Sequence, residues 1–305
     1  MTSGVRRIVY SPRYRIDIGP HVYPTAKYEA LHRELSAAGG WSWIEPEPAS
    51  WEDLALVHTG DYLQKARTGT FTPAEIAEIE LPWSPEIVEG FRLMTGGTVT
   101  AAHQAVETGL GIHAGGGFHH AFANHGEGFC LFNDVALAVR VLQRDRRIAR
   151  AAIVDLDVHH GNGTSMIFDG DRSVFTFSMH QQHNYPVFKP RSALDIGLPD
   201  AVSDDEYNTR LRAALPQVFA SDPQMVVYLA GADPFEGDQL GGLALTRAGL
   251  LERDRIVFEA CRAAGLPVVV TLAGGYARRL EDTVEIHRAT IELAARTCDP
   301  AARTL

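Results

Sequence analysis

The 305 residues carry 28 lysines and arginines against 38 aspartates and glutamates, a net charge of −10, with 45% hydrophobic and 22% charged residues. These ordinary values for a folded chain exclude collagen-like and disordered classes, and the three scattered cysteines, Cys130, Cys261 and Cys298, make no disulfide framework and point to a reducing, cytoplasmic setting. The acidic balance, without a basic block, argues against a nucleic-acid partner and tilts towards a cationic one such as a lysine-bearing peptide or a polyamine.

In chain order, the N-terminal Met-Thr-Ser-Gly-Val-Arg-Arg lacks the apolar region of a secretory signal and leads into a short β-like run. Ser84-Pro85 opens a helix as N-cap and N1 proline, running towards Gly109. Gly111-Ile112-His113 reads as a strand emptying into Gly115-Gly116-Gly117-Phe118-His119-His120. Asn133 caps a helix through about Arg144. The apolar runs Ala151–Leu156, Ser173–Ser178, Met225–Ala230 and Pro267–Leu272 read as buried parallel strands. Between them, Ser203-Asp204-Asp205-Glu206 has the pattern of a capping box, and Thr246 starts a helix that stops at Gly265 with Pro267 beyond it. A last helix covers about Leu280–Thr297. This βαβ rhythm predicts an α/β fold with a mainly parallel sheet. With no repeat, low-complexity tract or linker, one domain over 1–305 is expected. No apolar run approaches the ~20 residues of a membrane span, so no membrane partner is expected.

Histidine is distributed unevenly. Residues 119–183 hold seven of the thirteen (His119, His120, His125, His159, His160, His180 and His183), where proportion alone gives about three. Histidine is the commonest transition-metal ligand and titrates near neutrality. Strand ends also turn polar: Gly111-Ile112-His113 running into His119-His120, Asp155-Leu-Asp157-Val-His159-His160-Gly-Asn162, Ser178-Met179-His180, Gly231-Ala232-Asp233 and Gly274-Gly275-Tyr276. Ligands bind open parallel sheets at the carboxyl ends of the strands, so five such endings describe one site.

Asp155, Asp157 and His159 alternate, and share one face if the strand continues. Asp157 and His159 with Asp233 from another strand make a three-ligand divalent site that leaves a position for water, the arrangement of catalytic zinc; two carboxylates and one imidazole suit Fe(II) or Mn(II) as well. The His119-His120 pair beside such a site suits general acid–base work, with Asp155 and Asn162 as the leftover polar residues to orient the two rings. Tyr276 supplies a phenol for an oxyanion. The glycine run is not a dinucleotide fingerprint, because the G-x-G-x-x-G spacing is absent.

The block GGGFHHAFANHGEGFCLFNDVALAV, followed by VDLDVHHGNGT, SMH, AGADPFEGD and AGGY, resembles the histone deacetylase family of the arginase/deacetylase fold, from IVYSPRY near the N-terminus to the last helix. IVYSPRY, TGGT and EGDQLGGL look closest to class IV members. The resemblance implies an eight-stranded parallel sheet with helices on both faces, zinc dependence and hydrolysis of acyl-lysine amides. It puts the zinc ligands at Asp157, His159 and Asp233, the histidine dyad at His119 and His120 with partners Asp155 and Asn162, and the transition-state tyrosine at Tyr276. The acyl-lysine tunnel falls on Phe129 and Gly128, with Tyr185 facing it and Gly117 beside the dyad. A structural potassium site falls on Asp155, Ser178 and the backbones of Asp157, His159 and Met179. Cys130 reads as a buried spacer.

Two departures qualify these expectations. Leu81-Pro82-Trp83-Ser84-Pro85 has no carboxylate to grip a substrate backbone, which keeps open an acylated small amine, as in an acetylpolyamine deacetylase. Asn162 stands where some members have Asp, so His120 is expected to be neutral and to act as the base. A non-catalytic module that only grips acyl-lysine is the contrasting reading. By class IV resemblance, and with Gly115–Gly117 leaving room beyond the metal, long fatty-acyl chains are expected to be preferred over acetyl. His21 and His58 are expected at the rim, and His32, His103 and His287 on helix surfaces.

Overall fold

A computed structural model describes residues 6–298. The N-terminal stretch before Arg6, read above as lacking a signal, and residues 299–305 lie outside the described residues.

Among the described residues eight strands are formed: β1 (Arg6–Val9), β2 (Trp41–Ile44), β3 (Leu110–Ile112), β4 (Ala151–Asp155), β5 (Val174–Gln181), β6 (Leu194–Leu198), β7 (Val226–Leu229) and β8 (Val268–Thr271). Six of them make one all-parallel sheet in the order β3-β8-β7-β4-β5-β6. Instead of the expected eight-stranded sheet, β1 and β2 pair separately and meet β3 through a bridge between Val9 and His113. The reason is length: β3 has three residues before the Gly115-Gly116-Gly117 turn, so it offers little edge to a further strand. β4, β7 and β8 are buried throughout, as strands covered on both faces must be.

The helices α1 (Ala26–Ala38), α2 (Trp51–Leu54), α3 (Gly60–Thr68), α4 (Pro73–Ile79), α5 (Pro85–Thr108), α6 (Asp134–Arg144), α7 (Asn162–Ile167), α8 (Asp204–Ala220), α9 (Arg247–Ala264) and α10 (Leu280–Cys298) surround the sheet. Several begin as the cap residues predict. The Ser84, Asn133 and Thr246 side chains accept the N–H of Ile87, Ala136 and Gly249, and α5 and α9 end on left-handed Gly109 and Gly265. The capping box at Ser203 does not form. Ser203 makes no side-chain cap bond, and the Asp204 carboxylate is drawn instead to the Thr246 amide and hydroxyl, tying the starts of α8 and α9 together.

From β4 the chain builds outward through β5 to β6, then returns to place β7 on the other side of β4. The strand order therefore reverses at β4 and β7, and the crevice beyond their carboxyl ends is where such a sheet receives a ligand. Asp157 and His159 follow β4, and Asp233 follows β7.

Candidate active site

β4 stops at Asp155, so Asp157 and His159 lie on an irregular segment and not on a continued strand face. Their placement comes from hydrogen bonds: Asp155 Oδ1 accepts the Asp157 N–H at 3.2 Å, and Asp157 Oδ1 accepts the His159 N–H at 2.9 Å. Asp233 Oδ1 accepts the Val158 N–H at 2.9 Å, which brings in β7's loop. The result is one group in which a donor atom from each of Asp157, His159 and Asp233 lies within 4.8 Å of the others. His159 Nδ1 is 3.0 Å from Asp157 and 3.4 Å from Asp233. All three residues are buried, Asp233 completely.

This set fits a divalent cation. Asp233 Oδ2 is buried with no hydrogen-bond partner, an arrangement that costs free energy unless something else satisfies it. Burial and the charge of Asp157 push the Asp233 carboxyl up, as two close buried carboxylates do to one another.

The glycine turn ahead of the histidine pair is held by Asp134, whose carboxylate accepts the N–H of Gly117 at 2.9 Å and of Phe118 at 2.7 Å. His119 Nδ1 lies 2.7 Å from Asp155, His120 Nδ1 lies 2.7 Å from Asn162 Oδ1, and the two Nε2 atoms are 3.1 Å apart. Burial alone lowers His119, but the charges of Asp155 and Asp157 outweigh it and hold the ring at about 9. His120 is pushed far down by burial, then by the neighbouring His119 and His159 rings. One imidazolium beside one neutral imidazole is an acid–base pair. Burial followed by the charges of Asp157 and Asp233 keeps the Tyr276 phenol protonated, hence a donor.

His120, His159 and Tyr276 line a cavity of about 160 Å³ walled by Phe129, Tyr185 and Leu240. Gly128 belongs to this wall. Gly117 does not: with Gly116, Cys130 and Tyr23 it lines an adjoining inner cavity of about 20 Å³ that shares His120, Gly128, Phe129 and Tyr276 with the first. About one water fills such a space, so the expected fatty-acyl chain would enter only if the surrounding side chains moved. Cys130 is buried with its thiol pushed up by that burial, consistent with a spacer. Asp155 and Ser178 are register partners at the ends of β4 and β5, with Met179 buried next along; the Ser178 hydroxyl is 3.0 Å from His180 Nδ1.

Other expectations need correction. Leu81–Pro85 has no carboxylate, as read, but Glu80, one residue before it, is among the residues lining the cavity. It caps α4 in a left-handed conformation, φ 58°, which turns it towards the cavity. His58 is not at a rim but buried, with Nδ1 on the Phe122 carbonyl and Nε2 accepting the Asn133 N–H. His287 is 1% exposed because α10 packs that face inward, against the loop at Gly275. His21 does reach Phe129, edge to face.

Three contributing residues escaped sequence reading. Lys27 of α1 is buried and donates to the Ala273 carbonyl at 2.8 Å, with Tyr23, Tyr28 and Tyr276 around its ammonium. Asp238, within the Gly-Ala-Asp-Pro-Phe-Glu-Gly-Asp stretch, accepts the Tyr276 N–H at 2.6 Å. Glu127 accepts from Asn162 and Tyr185. The strand-end pattern gave no signal for Lys27 or Glu127, which lie on a helix and a turn.

Residues 21–291 match the family described as Histone deacetylase domain. An uncharacterized protein of Picosynechococcus sp. is 42% identical over 92% of this chain and 95% of its own length. Histone deacetylase 2 of Arabidopsis thaliana is 33% identical over 91% of this chain and 77% of its own. The solved HDA15 HD domain superposes with a TM-score of 0.78 at 24% identity, covering 94% of this chain and 90% of that one, which shows the arginase/deacetylase fold. With a family match spanning nearly all of the described residues and relatives of this similarity, the chain belongs to the histone deacetylase family.

Proposed function

We propose that the protein is a zinc-dependent deacetylase that hydrolyses short acyl amides of lysine side chains in proteins or peptides, as a single catalytic domain in a cytoplasmic setting. The observation that carries this reading is the convergence on one cavity of a buried ligand set with the unpartnered Asp233 Oδ2, a neutral His120 and a protonated Tyr276. Asp157, His159 and Asp233 would hold the ion, and Asp155, Ser178 and the Met179 backbone a structural potassium. A divalent ion in that set supplies Lewis acidity to the amide carbonyl and lowers the pKa of water. His120 Nε2 takes the proton of the attacking water and later returns it to the leaving amine. His119, held by Asp155, keeps positive charge beside the developing negative charge, and Tyr276 donates its phenol proton to the oxyanion. Phe129 and Tyr185 suit the aliphatic stem of lysine, and the 20 Å³ inner cavity suits an acetyl methyl. The class IV likeness in IVYSPRY and EGDQLGGL is kept within this reading without its long-chain preference.

A second reading, an acylated polyamine as substrate, is favoured by Glu80, an acidic residue at the cavity lining that suits a distal ammonium. Both readings are tested by measuring hydrolysis of acetyl- and myristoyl-lysine peptides and acetylpolyamines, with and without added zinc. The expected result is zinc-dependent turnover with kcat/KM for acetyl-lysine at or above that for myristoyl-lysine. Better turnover of the polyamine supports the second reading, and full activity of metal-free protein refutes the mechanism.

A further inference from the structure

Asn162 presents its Oδ1 to His120 at 2.7 Å and its Nδ2 to the Glu127 carboxylate, also at 2.7 Å. The same Glu127 oxygen accepts the Tyr185 hydroxyl at 2.8 Å, and the other lies 3.6 Å from His125 Nε2. Tyr185 in turn meets His120 edge to face, with ring centroids 5.0 Å apart. The side chain of Glu127 is 14% exposed. Burial raises it, but the bonds from His125, Tyr185 and Asn162 prevail and hold it below the ordinary glutamate range, so it is an anion that only accepts.

The backbone fixes this anion in place. Glu127 and Cys130 exchange both N–H···O bonds across Gly128 and Phe129, whose φ values are 52° and 65°. This is the tight turn with two left-handed central residues. A Cβ on Gly128 would lie 2.9 Å from both the His120 and Tyr185 rings, so the turn packs directly under them.

A terminal amide has two ends of similar shape, and which one faces a neighbour is decided by hydrogen bonding. Because Glu127 can only accept, it takes the NH₂ end of Asn162. The oxygen must then face His120 Nδ1, so that nitrogen carries the proton and Nε2 is left free as the base. We propose that Glu127 is a positioning residue that sets the His120 tautomer through Asn162 and fixes the cavity wall through Tyr185. This rests on the reading of His120 as the base. The carboxylate acts one residue removed from the imidazole, fixing its orientation without placing a full negative charge against it.

The test uses the metal-loaded full chain. Glu127→Gln and Glu127→Ala should lower kcat by about 10- to 100-fold, as loss of a partner orienting a catalytic histidine does. Asn162→Asp would set two carboxylates against each other and should lose more activity than Glu127→Gln. The double variant Asn162→Asp/Glu127→Gln gives the new carboxylate a donor and should recover at least tenfold over Asn162→Asp. A purely structural glutamate gives additive losses, and that result, or full activity of Glu127→Gln, overturns the proposal. Nitrogen NMR of His120 decides independently of turnover: one neutral Nδ1-protonated tautomer in the parent and a mixture in Glu127→Ala supports it, and an unchanged tautomer overturns it. If the parent hydrolyses no acylated amine, the proposed function fails while the NMR outcome still decides the positioning role.

Discussion

Replacing Gly274 with alanine should remove metal binding and activity while leaving the fold intact. Gly274 follows β8 and Leu272-Ala273, and its N–H donates to Asp157 Oδ2 at 2.7 Å, so the backbone runs directly over the proposed ligand set. A Cβ there would sit 1.9 Å from Asp233 Oδ2 and 2.6 Å from Asp157 Oδ2, where ordinary contact begins at 3.4 Å. The Asp233 carboxylate would have to retreat by about 1.5 Å, several times the ~0.5 Å tolerance of a working site. It has nowhere to go: Asp233 is 0% exposed and its other oxygen holds the Val158 N–H. A misplacement of ~1 Å costs on the order of 10² in rate, so kcat/KM should fall at least that far. Overpacking adds a stability loss of about 1–3 kcal/mol, visible as a lower Tm with an unchanged circular dichroism spectrum. Metal content is measured after dialysis in buffered zinc. Gly60→Ala, where nothing lies within 4 Å of the added Cβ, serves as the control and should behave as the parent does. Parent-level zinc content and turnover in Gly274→Ala would refute the assignment of Asp157 and Asp233 as ligands.

Tyr276→Phe should lower kcat by about 10²–10³ with little change in KM if the phenol acts on the oxyanion as proposed; a change confined to KM would show that it only binds substrate. His58 bears on stability and pH. Burial lowers its folded value to about 4 against 6.5 in the unfolded chain, so between those values the unfolded state takes a proton that the folded state refuses. Stability from this residue is therefore intact above pH 6.5 and falls as pH drops towards 4, by about 2 kcal/mol at pH 5. His58→Gln should lower stability at pH 7 yet flatten its dependence between pH 5 and 6.5 by close to one proton in denaturant titrations, and an unchanged slope would show that His58 is not the titrating group.

The sequence discloses those parts of the molecule where one local signal decides the outcome. β4, β7 and β8 are continuous apolar runs that stop abruptly at polar residues, and α5, α6 and α9 start where Ser84, Asn133 and Thr246 can cap them. β6 was not anticipated because Leu194–Leu198 is an edge strand with mixed exposure and a central Gly197. β2 is half-buried along its whole length, and α2 to α4 are too short to show a helical period. Ser203 had the capping pattern, yet Asp204 found a better partner 42 residues away in Thr246, a competition invisible to local reading. The site divides in the same way. Asp155, Asp157, His159 and Asp233 announce themselves at strand ends, whereas Glu127, Lys27 and Glu80 work through the turn, helix and cap that aim them.

The segment carrying Tyr276 illustrates why those unannounced residues matter. Ala273 sits at φ 49°, a conformation that costs a non-glycine residue about 1 kcal/mol or more and persists only where the surroundings impose it. Here they do. The Leu272 and Ala273 N–H groups bond to the carbonyls of Gly115 and Gly116, the Gly274 N–H to Asp157, and the Tyr276 N–H to Asp238. Lys27 takes the Ala273 carbonyl from the far side. Burial drives Lys27 down to about 8, against the pull of Asp233, Asp157 and Asp238, so much of its charge survives at neutral pH and opposes part of the negative field of the ligand set. One strained turn is thus tied at once to the histidine loop, to a proposed metal ligand and to α1. A phenol held by such a turn does not need to reorganise when an oxyanion forms beside it, and donors that need no reorganisation are the ones that stabilise a transition state more than a ground state.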